Sequence, residues 1–152
     1  MRSPGSPPTS FSTVHSESSS VVARPRGTDV PLHKRKEHSM SPEEVIRKFF
    51  DCYTNGRPQD FDEVVAPDYL DYGHTPPGRG PDGARADYEN AVKVAGEVIR
   101  YTIDALVVDG DMVAADWTGR VNGTAIGRGL SLYRTSDGLL RSTRHTLYET
   151  VQ

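Results

Sequence analysis

Asp116 and His145 are the side chains whose type and setting best suit acid–base chemistry. Asp116 interrupts an apolar run, MVAADWTG. A carboxylate at mid-strand facing a dry cavity is costly to bury, and such groups serve as general acids or bases. The plainer alternative is that Asp116 meets solvent or pairs with Arg100 or Arg128. His145 lies in GLLRSTRHTLYET, and a free imidazole, titrating at about 6.5, suits proton abstraction at neutral pH. It reads equally as a surface histidine, since a slip of one residue turns a strand side chain to the other face. Together the two suggest an imidazole base oriented by a carboxylate. It would take a proton next to a carbonyl, with Tyr53, Tyr72 or His74 donating a hydrogen bond to the enolate. His74, His145 and Asp116 are also a donor set for zinc or iron. No two of them stand at a local ligand spacing, so no metal is expected.

These residues need elements to hold them. Ser41-Pro42-Glu43-Glu44 reads as a capping box with proline at the first helical position. Ile46, Phe49, Phe50 and Tyr53 then recur at helical spacing until Asn55-Gly56 and Pro58 stop the helix. A second helix is expected over Asp60 to Ala66, ended by Pro67. The stretch from Glu63 to Gly83, EVVAPDYLDYGHTPPGRGPDG, carries tyrosines, a histidine and a proline-glycine lip, and reads as a connection forming the mouth of a pocket. Gly80-Pro81-Asp82 opens a third helix with a stripe of mostly small residues, Ala84, Tyr88, Ala91, Ala95 and Val98. From Arg100 the pattern alternates, with turn signals at Asp109-Gly110, Asn122-Gly123 and Thr135 to Gly138, so four strands in an antiparallel meander follow. Helices followed by strands give an α+β fold, with three helices against one face of a curved antiparallel sheet.

If Asp109-Gly110 closes the first hairpin, Val108 pairs with Asp111 and Ile103 with Asp116. One face then carries Tyr101, Ile103, Asp116 and Thr118, and the other Thr102, Asp104, Val113 and Trp117. Both faces are substantially apolar, as expected if one lines a cavity and the other is covered by a second subunit, so a homodimer through the sheet is expected. Gly127-Arg128-Gly129 lacks the strand-to-helix setting of a phosphate loop, and its glycines mark a bulge or a close backbone approach.

The stretch before the third helix resembles the "VAPDYVDHGP…GPEG" wording of SnoaL-like domains in the nuclear transport factor 2-like superfamily, and the resemblance covers about residues 41 to 150. It implies a cone-shaped curved antiparallel sheet, a pocket for a hydrophobic small molecule, cofactor-free chemistry and a homodimer. Tyr72 stands where relatives often show histidine, which makes it a pocket candidate beside His74. The strand usually written "VVARWTATG" matches at Trp117 and Thr118, with Asp116 replacing an arginine, and by that alignment Asp116 and Thr118 both look inward. The last strand resembles "GKIVEHRDYWD", which puts His145 where polyketide cyclases and epoxide hydrolases of this scaffold keep a catalytic aspartate. With the residue reading above, the expected catalytic pair is Asp116 and His145. The expected substrate contacts are Tyr53, Tyr72, His74, Trp117, Thr118 and Arg128. A polyketide cyclase or isomerase type of reaction follows, with a non-catalytic ligand-binding or dimerisation module as the rival.

The chain has 152 residues, 35% hydrophobic and 26% charged, which suits one folded domain. Residues 1–39 are crowded with Ser and Pro and hold few large apolar residues, so a disordered arm is expected before a domain over 40–152. A third role for the chain, recruitment of partners by that arm, follows from its composition. The arm carries six basic and three acidic residues, leaving 12 basic and 18 acidic beyond it. An acidic domain argues against nucleic-acid binding. No apolar run approaches the roughly 20 residues needed to cross a membrane, and no secretory signal is evident, so a cytoplasmic location is expected. Met40 directly precedes the first helix signal and is an expected alternative start of translation. Cys52, the single cysteine, excludes an internal disulfide and is expected to be a packed thiol.

Overall fold

The computed structural model of the protein describes residues 39–150. All of the Ser/Pro-rich arm except its last residue lies outside the described residues. The first helix, α1 (Pro42–Thr54), starts as its sequence dictates. Ser41 Oγ accepts the Glu44 amide, while the Glu44 carboxylate accepts the Ser41 amide at 2.7 Å. Such a cap contributes about 1 kcal/mol. Val45, Ile46, Phe49, Phe50, Cys52 and Tyr53 form its buried face.

The expected second helix is shorter than its pattern suggested. A 3-10 turn (Pro58–Asp60) leads into a single helical turn, α2 (Phe61–Val64), and the chain then extends as β1 (Val65–Asp71). Pro67 therefore sits inside a strand instead of ending a helix. The tolerance has a physical cause: β1 pairs in parallel with the last strand at Val65 and again from Leu70, and the register shifts between them. The proline, which has no amide to donate, falls in the interruption. A two-residue strand, β2 (Gly78–Arg79), returns antiparallel to β1, and α3 (Gly80–Ala95) follows.

The meander comprises β3 (Arg100–Asp109), β4 (Met112–Val121), β5 (Thr124–Ser136) and β6 (Leu139–Thr150). The six strands form one sheet in the order β2-β1-β6-β5-β4-β3, antiparallel except between β1 and β6. With the three α-helices of the described residues this is an α+β fold with an open mixed sheet. Phe61, Ile46, Val45, Val64, Val65, Tyr69, Leu140 and Val113 are fully buried members of the hydrophobic core.

The β3–β4 hairpin departs from the expected register. Its pairing ends at Asp109 with Met112, so the turn residues are Gly110 and Asp111, and a bulge interrupts the ladder between Ile103 and Ala105. The extra residue on β3 changes which side chains share a face. Tyr101 and Ile103 pair with Gly119 and Trp117, whereas Asp116 pairs with Ala105 on one side and Leu130 on the other.

Candidate functional site

Helices α1 and α3 and the inner face of the sheet enclose a cavity of about 280 Å³. Its walls are mainly aromatic. Phe49 and Phe50 come from α1, Tyr101 from β3, Trp117 from β4 and Tyr133 from β5. Polar groups reach it from β1, α3 and β6 as Asp71, Asp87 and His145.

Asp71 ends β1 on the same side as Tyr69, two residues earlier, and is only 3% exposed. The amide of Gly73 donates to its Oδ1 at 2.7 Å. His145 reaches the same oxygen from β6, with Nδ1 3.9 Å away, within ion-pair reach. Register explains why His145 faces inward: it pairs with Ser131 of β5, another cavity residue. Its ring lies against Gly73, where a Cβ would come within 2.1 Å of Cε1. Any side chain at 73 would displace the imidazole.

A second chain of contacts adjoins the first. Tyr53 donates its hydroxyl to Asp87 Oδ2 at 2.8 Å, and Asp87 Oδ1 stands 2.8 Å from His74 Nε2. The same nitrogen is 3.4 Å from Asp71 Oδ2. Burial, followed by the charge and acceptor bond of Asp87, pushes the Tyr53 hydroxyl well above the ordinary tyrosine range. Tyr53 is therefore a donor throughout the neutral range. Tyr133 is also pushed up by burial, while hydrogen bonds with the Ser131 and Thr143 hydroxyls act the other way. Tyr101 is raised to about 12, again chiefly by burial.

Trp117 lines the cavity and donates Nε1–H to Ser131 Oγ at 2.8 Å. Its indole occupies the space beside Gly129, where a Cβ would lie 2.3 Å from the ring. Close approach at this glycine, together with a register shift at Arg128–Gly129, meets the expectation drawn from the Gly127-Arg128-Gly129 sequence.

The other sequence candidates lie elsewhere. Asp116 is on the outer face of the sheet, where its Oδ1 accepts the Tyr148 hydroxyl at 2.6 Å. That bond raises the Tyr148 hydroxyl above the ordinary tyrosine range. The expected inward aspect of Asp116 and Thr118 is thus corrected by the hairpin register, and Asp116 and His145 do not meet. Thr118 donates to Asp104 on that same outer face. Arg128 pairs with Glu149 at 3.0 Å, also away from the cavity. Tyr72 is 47% exposed and lies beneath the Arg144 guanidinium, 4.9 Å from the ring centroid. Of the expected site residues, the structure gathers Tyr53, His74, Trp117 and His145 around the cavity or at its mouth. Cys52 is buried, and burial together with the nearby Asp60 charge pushes its thiol to about 11, which suits a packed thiol.

Asp71 and Asp87 were not evident from the sequence, and Tyr133 was not singled out from the other tyrosines. The alternation of Tyr69 and Asp71 would have marked the first, had the stretch been read as a strand. Asp87 falls three residues after Ala84 and four before Ala91, inside the apolar stripe of α3, and a carboxylate in such a stripe is a signal. Tyr133 alternates with Ser131 along β5.

The comparisons with known proteins agree with this architecture. The family model described as a SnoaL-like domain matches residues 46–143. No curated protein matches the chain. Among solved structures, a protein of unknown function with a cystatin-like fold from Methylobium petroleophilum PM1 is 23% identical, with a TM-score of 0.60 over 73% of this chain and 78% of that one. IdmH, a proposed polyketide cyclase from Streptomyces antibioticus, is 18% identical, with a TM-score of 0.59 over 72% and 93%. A proposed ketosteroid isomerase from Kribbella flavida DSM 17836 is 16% identical, with a TM-score of 0.60 over 73% and 80%. At these identities the likeness is one of fold. Since the family model spans well over half of the sequence, the chain belongs to the SnoaL-like domain family.

Proposed function

We propose that this protein is an acid–base enzyme of the cyclase or isomerase type acting on a hydrophobic carbonyl compound. The observation that carries the reading is the placement of His145 beside the buried Asp71 in the wall of an aromatic cavity. His145 takes a proton from the carbon next to the carbonyl. Asp71, fixed by the Gly73 amide, steadies the imidazolium that results. The enolate oxygen needs a donor. Tyr53 has its proton engaged by Asp87, so the Tyr133 hydroxyl at the cavity wall is the better placed group. A cavity near 280 Å³ suits a compact ligand of one or two rings.

The rival reading, a module that binds such a ligand without turning it over, uses the same walls. Exchange in deuterated water separates the two. Carbonyl compounds that raise the melting temperature are incubated with the protein, and loss of the hydrogen next to the carbonyl is followed by proton NMR. Exchange that disappears in His145→Ala supports the enzyme. Tight ligands that never exchange would favour the binding module.

We also propose that two copies pair through the outer face of the sheet, where Val107, Leu130, Leu132 and Tyr148 are 65%, 48%, 44% and 56% exposed. Sedimentation of the natural protein and of Leu130→Lys checks this: a dimer that the lysine dissociates is expected, and a monomeric wild type removes the idea.

A further inference from the structure

The two carboxylates at the cavity mouth are each anchored through one oxygen and each turn the other toward one imidazole nitrogen. Asp71 Oδ1 is held by the Gly73 amide and Asp87 Oδ2 by the Tyr53 hydroxyl. The remaining oxygens, Asp71 Oδ2 and Asp87 Oδ1, stand 3.4 and 2.8 Å from His74 Nε2. All three atoms lie within 4.8 Å of one another. Donors held at about 2.1 Å by one ion, at right angles, stand about 3 Å apart. The gaps from His74 bracket that value.

Charge points the same way. Asp71 is 3% exposed, and the contact of its Oδ2 among the described residues is the longer approach of His74 at 3.4 Å. Among the described residues, neither Asp71 nor Asp87 has a lysine or arginine partner; their ion pairs are with His74 and His145 alone. Two carboxylates so close, at the rim of an apolar cavity, are stabilised by a positive charge between them, which a protonated His74 or an ion bound to neutral His74 can supply. Hydrogen bonds that fix the non-ligating oxygen of each carboxylate are what a metal site requires around its ligands.

We infer that Asp71 Oδ2, His74 Nε2 and Asp87 Oδ1 form a binding site for one first-row divalent cation of the zinc or manganese class. Mixed imidazole and carboxylate donors suit those ions, and three protein ligands leave coordination positions open. The site departs from the cofactor-free chemistry implied by the family resemblance. Occupied, it would polarise a carbonyl close to His145, whose ring centroid is 6.0 Å from that of His74. That use of the ion rests on the acid–base reading; the binding itself does not.

The test is a calorimetric titration of the full-length protein, made without a polyhistidine tag and stripped with EDTA, with Zn²⁺ and separately with Mn²⁺. His74→Ala and Asp87→Asn are titrated alongside. Both alter side chains at the cavity mouth that are 41% and 25% exposed, and thermal melts verify that they fold. One saturable site per chain is expected, weakened roughly 100-fold or more in each variant. Tyr53→Phe, which removes only an outer hydrogen bond, should weaken it by about 10- to 100-fold. The inference is overturned if neither ion binds the wild type at micromolar concentration. It is equally overturned if binding persists in either ligand variant, which would place it on histidines such as His15, His33 or His38. No substrate enters the titration, so a negative result leaves His145 as a base untouched, and failure of the exchange assay leaves the ion site untouched.

Discussion

The two faces of the sheet carry the same kinds of side chain and put them to different ends. On the inner face Asp71, His145, Trp117, Ser131 and Tyr133 meet an aromatic cavity. On the outer face Asp116 accepts from Tyr148, Asp104 accepts from Thr118, and Arg128 pairs with Glu149. Each face has carboxylates and a tyrosine. On the outer face the Arg128–Glu149 pair is about half exposed and Thr118 is buried. An ionic contact in solvent such as Arg128–Glu149 contributes little, whereas a contact at a buried carboxylate such as Asp71 is worth more. Residue type alone therefore does not mark a site. The face it occupies decides.

The contrast is most exposed to attack at His145. His145→Ala should slow turnover, or exchange of the hydrogen next to the carbonyl, by roughly 10²- to 10⁴-fold, the usual range for a general base. A comparable rate in the variant would place the chemistry elsewhere. Next in size is Gly129→Ala, whose added methyl meets the Trp117 ring and, at 2.8 Å, the Thr146 carbonyl oxygen. Overpacking of this kind should cost about 1–3 kcal/mol, read from urea unfolding. An unchanged midpoint would mean that the indole has room to move.

Alkaline titration sharpens the comparison with a smaller effect. Tyr53 and Tyr101 are raised above the ordinary value of about 10. A raised acid binds its proton more tightly folded than unfolded, so their contribution to stability is complete below about pH 10 and is lost as pH climbs through the folded values. Tyrosinate absorbance should accordingly show these two rings still protonated at pH 11 in folded protein. Their early ionisation would show that the cavity is wet. Smallest of all is Asp116→Asn, for which turnover and its pH profile should match the wild type; a clear loss of turnover would bring the outer face back into the site.

Much of this division was legible in the sequence, and the part that was not has a definite cause. The capping box, the proline at position 42 and the apolar spacing through Tyr53 specify α1 locally, so no distant contact was needed to read it. The turn at Asn122-Gly123 was equally clear because positive φ at both positions favours those residues. The longer turn expected over Thr135 to Gly138 narrows to Asp137-Gly138, since β5 runs on to Ser136; Asn122 and Asp137 both adopt positive φ. Register was another matter. Asp109-Gly110 is a strong turn signal, yet the chain turns one residue later and then bulges at Asp104, and neither event leaves a mark that a propensity can read. Asp116 reads as inward from its alignment with the family strand, and the hairpin register puts it on the outer face. His145, which reads either as a pocket base or as a surface histidine, lines the cavity. Asp71 was missed because Pro67 argued for a helix end, while the structure absorbs the proline in a gap of the β1–β6 ladder.

Trp117 is the sole tryptophan of the chain, and its indole is part of the cavity wall with the nitrogen tied to Ser131. A molecule that fills the cavity lies close to the one fluorophore that dominates the emission of this protein. Candidate molecules can therefore be ranked from the quenching or colour shift of unlabelled material, without knowing the reaction in advance.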